Sequence, residues 1–123
     1  MSNKGNVQIT ILFTCGPDHV AAGDALFADH AAWMAESHPR SGELALISYE
    51  IVKGAELENP LNPGSDETGN TTFALTEIYA SAAGVANHWR MGTTEWSGFG
   101  AFVEFAGNCT VVALHGSEIV QSI

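Results

Sequence analysis

The sequence predicts a small α+β domain with the element order β-α-β-β-α-β, a four-stranded antiparallel sheet carrying its helices on one face. Four segments alternate apolar and polar residues at strand period, two intervening regions repeat apolar residues at helical period, and turn-forming residues separate them. With 123 residues and 46% hydrophobic side chains the chain is long enough to close one core, so residues 1–123 are expected to form one domain.

The first strand covers Asn6 to Phe13, with Val7, Ile9, Ile11 and Phe13 on one face and Gln8, Thr10 and Leu12 on the other. Gly16-Pro17-Asp18 breaks it, and Asp18 is expected to cap the following helix, its carboxylate accepting from free first-turn amides. From His19 to about Glu36, Val20, Gly23, Phe27, Ala31 and Met34 recur at helical spacing, Leu26 and Trp33 widen the stripe, and Asp24 and Asp29 lie off it. Pro39 disfavours helix at the residue before it and ends the run. Glu43 to Val52 reads as the second strand, with Ala45, Ile47, Tyr49 and Ile51 on one side and Leu44, Leu46, Ser48 and Glu50 on the other. Lys53 to Asn70 holds Pro60, Pro63, Gly64 and Gly69 among acids and asparagines. It reads as a long exposed loop: a pocket rim, a dimer contact or a tolerated insertion.

Thr71 to Tyr79 is the third strand, with Phe73, Leu75, Glu77 and Tyr79 on one face. Ser81 is expected to cap a helix that sets Val85, His88 and Trp89 on one side. After Met91-Gly92 a short helix from about Thr94 to Phe105 puts Trp96, Phe99, Gly100 and Val103 on one stripe, and Asn108-Cys109 opens the last strand, running through His115 toward Val120. The order is the split βαβ arrangement of ferredoxin-like folds. The sheet's second face also carries apolar residues from every strand, and pairing two such faces in a two-fold homodimer would bury them.

Fourteen acidic residues against four basic ones give a net charge of −10, which repels phosphate backbones and anionic membrane surfaces; neither nucleic acid nor membrane is an expected partner. No apolar run approaches a bilayer span. Met1 to Asn6 lacks the long apolar core of a secretory signal, so the cytoplasm is the expected compartment. Cys15 and Cys109, without CxxC or metal-like spacing, read as small buried residues.

The run Phe73-Ala74-Leu75-Thr76-Glu77-Ile78-Tyr79-Ala80-Ser81-Ala82-Ala83-Gly84-Val85-Ala86-Asn87-His88-Trp89 resembles the signature of the antibiotic biosynthesis monooxygenase-like domains. There a strand bearing Glu-x-Tyr leads through a serine or similar cap into a helix with a histidine on its second or third turn. The upstream pieces fit too: an Ile/Val-rich strand, a helix, a Gly42 turn and a strand bearing Tyr49, so the resemblance spans residues 7 to 115. It implies a dimeric α+β barrel. Members include cofactor-independent oxygenases of aromatic polyketides, haem-degrading enzymes and isomerases of small phosphorylated sugars, and fold and motif do not choose among them.

His88 is the leading catalytic candidate, because it sits on the inward side of a short helix and an imidazole moves protons near neutral pH. Its alternative is a core histidine bonded to a backbone carbonyl. Glu77 is placed to orient His88 or to accept a substrate proton; the competing structural reading pairs it with Arg90 at a rim or across the dimer. Tyr79 and Tyr49 offer hydroxyls to a carbonyl or phenolate, or serve packing. Trp33, Trp89, Trp96, Phe27, Phe99 and Phe102 suit a flat hydrophobic ligand if they converge on a cavity, and are core otherwise. His30 bounds the same cavity in the functional reading. In the other reading it is a solvated or core histidine, as are His19, His38 and His115.

No H-x-H, HExxH or His/Asp/Glu cluster at metal spacing occurs, and neither a P-loop, a dinucleotide fingerprint nor a nucleophile elbow, so no metal or cofactor is expected. Haem is disfavoured because only Lys4, Arg40, Lys53 and Arg90 are there to meet its propionates. Two functions remain. One is a cofactor-independent monooxygenase of a small aromatic or quinol-like substrate, with His88 as base or anion stabiliser, Tyr79 as hydrogen-bond partner and Trp33, Trp89 and Trp96 as walls. The other is a non-catalytic dimeric module that binds a small apolar molecule or mediates assembly. A polar cavity reaching His88 favours the first, and a dry, filled space favours the second.

Overall fold

The computed structural model describes residues 2–123. Strand β1 (Val7–Cys15) passes through a single 3-10 turn at Pro17–His19 into helix α1 (Val20–Ser37). Strands β2 (Leu46–Leu57) and β3 (Glu67–Tyr79) form a hairpin, helices α2 (Ala82–Thr94) and α3 (Phe99–Gly107) follow, and β4 (Thr110–Glu118) completes the sheet. The strand order is β2-β3-β1-β4 with every neighbour antiparallel, as the β-α-β-β-α-β reading expects.

Alternation along the two central strands builds the helix-facing side. Ile9, Ile11 and Phe13 of β1 stand opposite Glu77, Leu75 and Phe73 of β3, and all six are buried. Helix α1 lays Gly23, Leu26, Phe27, His30 and Met34 onto them at i, i+3, i+4, i+7 spacing. At Gly23 an added Cβ would come within 2.7 Å of the Phe73 ring and 2.9 Å of Phe105, so the absent side chain is what lets α1 approach the sheet. Around it Phe13, Phe27, Phe73 and Phe105 pack with ring centroids 5.3 to 5.9 Å apart. This end of the core is wholly apolar, whereas the other end holds the imidazoles.

Four expectations need correction. Asp18 does not cap α1; it lies inside the 3-10 turn, and neither that turn nor α1 has a side-chain cap. Residues 53–70 are not one long loop, because β2 runs on to Leu57 and β3 begins at Glu67, leaving only the tip between them. Along β2 the inward residue is Leu46 and not Ile47: Leu46 pairs with Tyr79 and Ser48 with Ile78, so Ile47 is an extra residue that inverts the alternation before Tyr49. In α3 the buried residue is Phe105, with Phe102 half-buried, while Val103 faces solvent. A second irregularity falls at Gly116, skipped between the pairs Gln8–Ser117 and Ile9–His115; its φ of 126° suits glycine.

The open face of the sheet carries Val52, Ala74, Leu12 and Val112 in one cross-strand row. Val52 is 61% and Val112 65% exposed, and Leu114 on the same face is also exposed. Among the described residues no helix is long and apolar enough to cross a membrane.

Candidate active site

Glu77 sits between Leu75 and Tyr79 on the inward face of β3 and is 0% exposed. Two residues apart on a strand, Tyr79 and Glu77 share a face, and the Tyr79 hydroxyl donates to Glu77 Oε1 at 2.5 Å. Among the described residues Glu77 Oε2 has no hydrogen-bond partner. The expected pairing of Glu77 with Arg90 does not occur: Arg90 is bound to Glu95 at 3.0 Å on the surface. Burial pushes the Glu77 carboxyl up to about 7, against the opposing effect of the Tyr79 hydrogen bond.

His88 reaches Glu77 from α2. That helix begins at Ser81, whose hydroxyl caps it as expected by accepting from the Gly84 amide at 3.3 Å, and the first turns then direct Val85 and His88 inward. His88 Nε2 lies 3.6 Å from Glu77 Oε1, and its Nδ1 lies 2.8 Å from His38 Nε2. His38 Nδ1 in turn lies 2.8 Å from Ser37 Oγ, whose hydroxyl donates to the Trp33 carbonyl at 2.6 Å.

This chain of contacts sets the tautomers. Ser37 has committed its proton to a carbonyl, so it can only accept from His38 Nδ1–H; His38 Nε2 is then bare and accepts from His88 Nδ1–H. His88 Nε2 is left with a free lone pair on the side of Glu77. Burial and the neighbouring His38 and His30 lower His88 to about 3, and burial lowers His30 and His38 to about 4. At neutral pH the rings are uncharged, and His88 and Glu77 are two groups competing for one proton rather than an ion pair.

His30, from α1, completes the cluster, with Nδ1 2.8 Å from the Tyr49 hydroxyl. Burial, then Glu77, raises Tyr49, and the same causes raise Tyr79, so both phenols stay protonated. His30, Glu77 and His88 line a cavity of ≈ 20 Å³, room for a water molecule or two. Its walls include Trp33, Trp89, Trp96, Phe99 and Phe102, all half-buried except the buried Trp96. Trp33 and Trp96 stack at 5.4 Å, and Trp96 Nε1 donates to Asp29 Oδ2 at 3.0 Å.

The structure therefore gathers His88, Glu77, His30, Trp33, Trp89, Trp96 and Phe99 at one cavity and sets Tyr49 and Tyr79 behind it as partners of His30 and Glu77. Phe27 belongs to the phenylalanine cluster at the other end. His38 is the functional residue that sequence reasoning missed. Its only signal was its place beside Pro39, where the chain leaves α1 and passes next to α2.

No protein-family model matches the chain, and no curated protein does. Solved structures do. A proposed antibiotic biosynthesis monooxygenase from Caulobacter crescentus CB15 superposes with a TM-score of 0.61 at 18% identity, covering 98% of this chain and 94% of that one. The chain has the ferredoxin-like fold. A dimeric ferredoxin-like protein from an uncultured marine organism superposes with a TM-score of 0.60 at 13% identity, covering 96% of this chain and 99% of the other. At these identities the ferredoxin-like fold is what is shared, and roles for individual residues rest on the geometry above.

Proposed function

We propose that this protein is a single-domain, homodimeric, cofactor-independent monooxygenase of a small aromatic or quinol-like substrate, with the Glu77–His88 pair as its acid–base element. The observation that carries the reading is the relay Ser37–His38–His88, which turns a bare Nε2 toward a buried, half-satisfied carboxylate at a cavity. In an anthrone-type reaction the pair takes a proton from the substrate's C–H. The carbanion reduces dioxygen and forms a hydroperoxide, and loss of water leaves the quinone. Trp33, Trp89 and Trp96 form the walls, and Tyr79 holds Glu77 rather than the substrate. A ring system enters by displacing the half-buried Trp89, Phe99 or Phe102, because the cavity of ≈ 20 Å³ admits dioxygen or water but no ring.

That small volume also supports the competing reading, a non-catalytic dimeric module that binds a small apolar molecule or only assembles. Oxygen uptake with an anthrone-type compound separates the two. His88→Ala is expected to lower turnover by roughly 10²–10⁴-fold, the usual worth of a positioned acid–base group. Undiminished turnover in that variant removes the assignment, and no turnover in wild type favours the module.

A further inference from the structure

We propose that His30, Glu77 and His88 form a site for one divalent transition-metal ion of the Zn²⁺ and Fe²⁺ class. One donor atom from each lies within 4.8 Å of the other two. Glu77 Oε1 and His88 Nε2 are 3.6 Å apart, close to the roughly 3.3 Å that donor atoms keep around a four-coordinate ion with bonds of about 2.0 Å. The donors come from α1, β3 and α2, so no local motif marks the site in the sequence.

Three independent features point to a cation. Glu77 is wholly buried, and among the described residues its Oε2 meets no donor and no lysine or arginine pairs with it. A carboxylate so placed is stabilised by a proton or by a metal. Each imidazole commits Nδ1 to a neighbour, His30 to Tyr49 and His88 to His38, which leaves Nε2 as the coordinating atom. A metal-binding imidazole is commonly held in orientation through its other nitrogen in this way. The adjoining cavity gives a water or substrate atom room to take a further position. Two imidazoles and one carboxylate with an open position suit Zn²⁺ or Fe²⁺, whereas Ca²⁺ and Mg²⁺ prefer oxygen donors alone.

The inference does not rest on the oxygenase reading: an ion on His88 Nε2 would occupy the lone pair that reading assigns to the base, so the two are alternatives for the same atoms. Titration of Co²⁺ into the chelator-treated chain reads the site directly. One equivalent should bind with the intense visible bands of a four- or five-coordinate ion, and Zn²⁺ should displace it. His30→Ala, Glu77→Gln and His88→Ala should each weaken binding at least tenfold, while His19→Ala, at the distant 3-10 turn, should not. Only the weak spectrum of the aqua ion at excess Co²⁺ overturns the proposal, as does tight binding that survives Glu77→Gln and His88→Ala. Should a variant fail to fold, the wild-type spectrum still decides. Turnover by the metal-free chain tests the oxygenase reading separately.

Discussion

A carboxyl group at 0% exposure is stable when it holds a proton or meets positive charge, and among the described residues Glu77 is hydrogen-bonded only by the Tyr79 hydroxyl. Its folded value of about 7 lies above the usual 4.5, so between those values the folded chain holds a proton that the unfolded chain has released. The group therefore lowers stability progressively as pH rises through that interval and by a constant amount above it. In metal-free protein Glu77→Gln should gain on wild type between pH 5 and pH 8 by on the order of 3 kcal/mol. Urea unfolding at the two pH values measures this, and a pH-independent difference refutes it. His30, His38 and His88 act with opposite sign: their folded values near 4, 4 and 3 lie below the usual 6.5, so stability is lost as pH falls from 6.5 toward 4. Three histidines outweigh one carboxyl, and between pH 4.5 and 6.5 the protein should lose on the order of 2 kcal/mol per pH unit of acidification. A flat urea midpoint across that range would contradict the buried imidazoles. The inward position of Glu77 was legible from the alternation of Phe73, Leu75 and Tyr79. Its lack of a cationic partner among the described residues was not, because Arg90 pairs instead with Glu95 at the surface. The His38–His88 contact joins the C-cap of α1 to the middle of α2, and no sequence period reports such a meeting.

At the level of elements, the site stands where it does because α1 lies close against the sheet. Gly23 permits that approach, and the same helix brings His30 to Glu77 and delivers Ser37 and His38 at its end. Gly23→Ala gains up to ~1 kcal/mol of helix propensity, yet it drives a methyl group into the buried rings of Phe73 and Phe105. The net cost should be about 1–2 kcal/mol, seen as a lower urea midpoint with an unchanged slope. A stabilised variant would mean that α1 is free to lift. The helices and central strands were legible because one face of each is apolar at the proper period. The outer halves of β2 and β3 were not, since from Lys53 to Thr72 the hairpin is mostly exposed and polar, and its pairing comes from backbone hydrogen bonds that composition does not record. The extra residue at Ile47 escaped for a related reason, because a bulge leaves the residue types intact and changes only which of them face inward.

For the whole molecule, the helices cover one side of the sheet and leave the other with Val52, Ala74, Leu12 and Val112 in a row beside Leu114. The alternation that exposes these residues is plain in the sequence, but a partner that would cover them is not. In the proposed dimer a two-fold axis through the sheet would lay the row on its own copy, and about 25 cal/mol per Å² of apolar surface would favour the contact. Net charge opposes it, since each copy brings −10. Burial of apolar surface is strengthened, or at least not weakened, by salt, while repulsion between the copies is screened over about 10 Å at 0.1 M and about 3 Å at 1 M. Association should therefore tighten as sodium chloride rises from 0.1 to 0.5 M, the reverse of a dimer held by ion pairs. Light scattering at micromolar protein should give the mass of two chains, and Leu12→Glu should weaken the dimer more than tenfold while leaving the circular dichroism unchanged, because its side chain points away from the helices. A single-chain mass in 0.5 M salt would leave that face without its proposed partner, whatever the chemistry at Glu77 and His88.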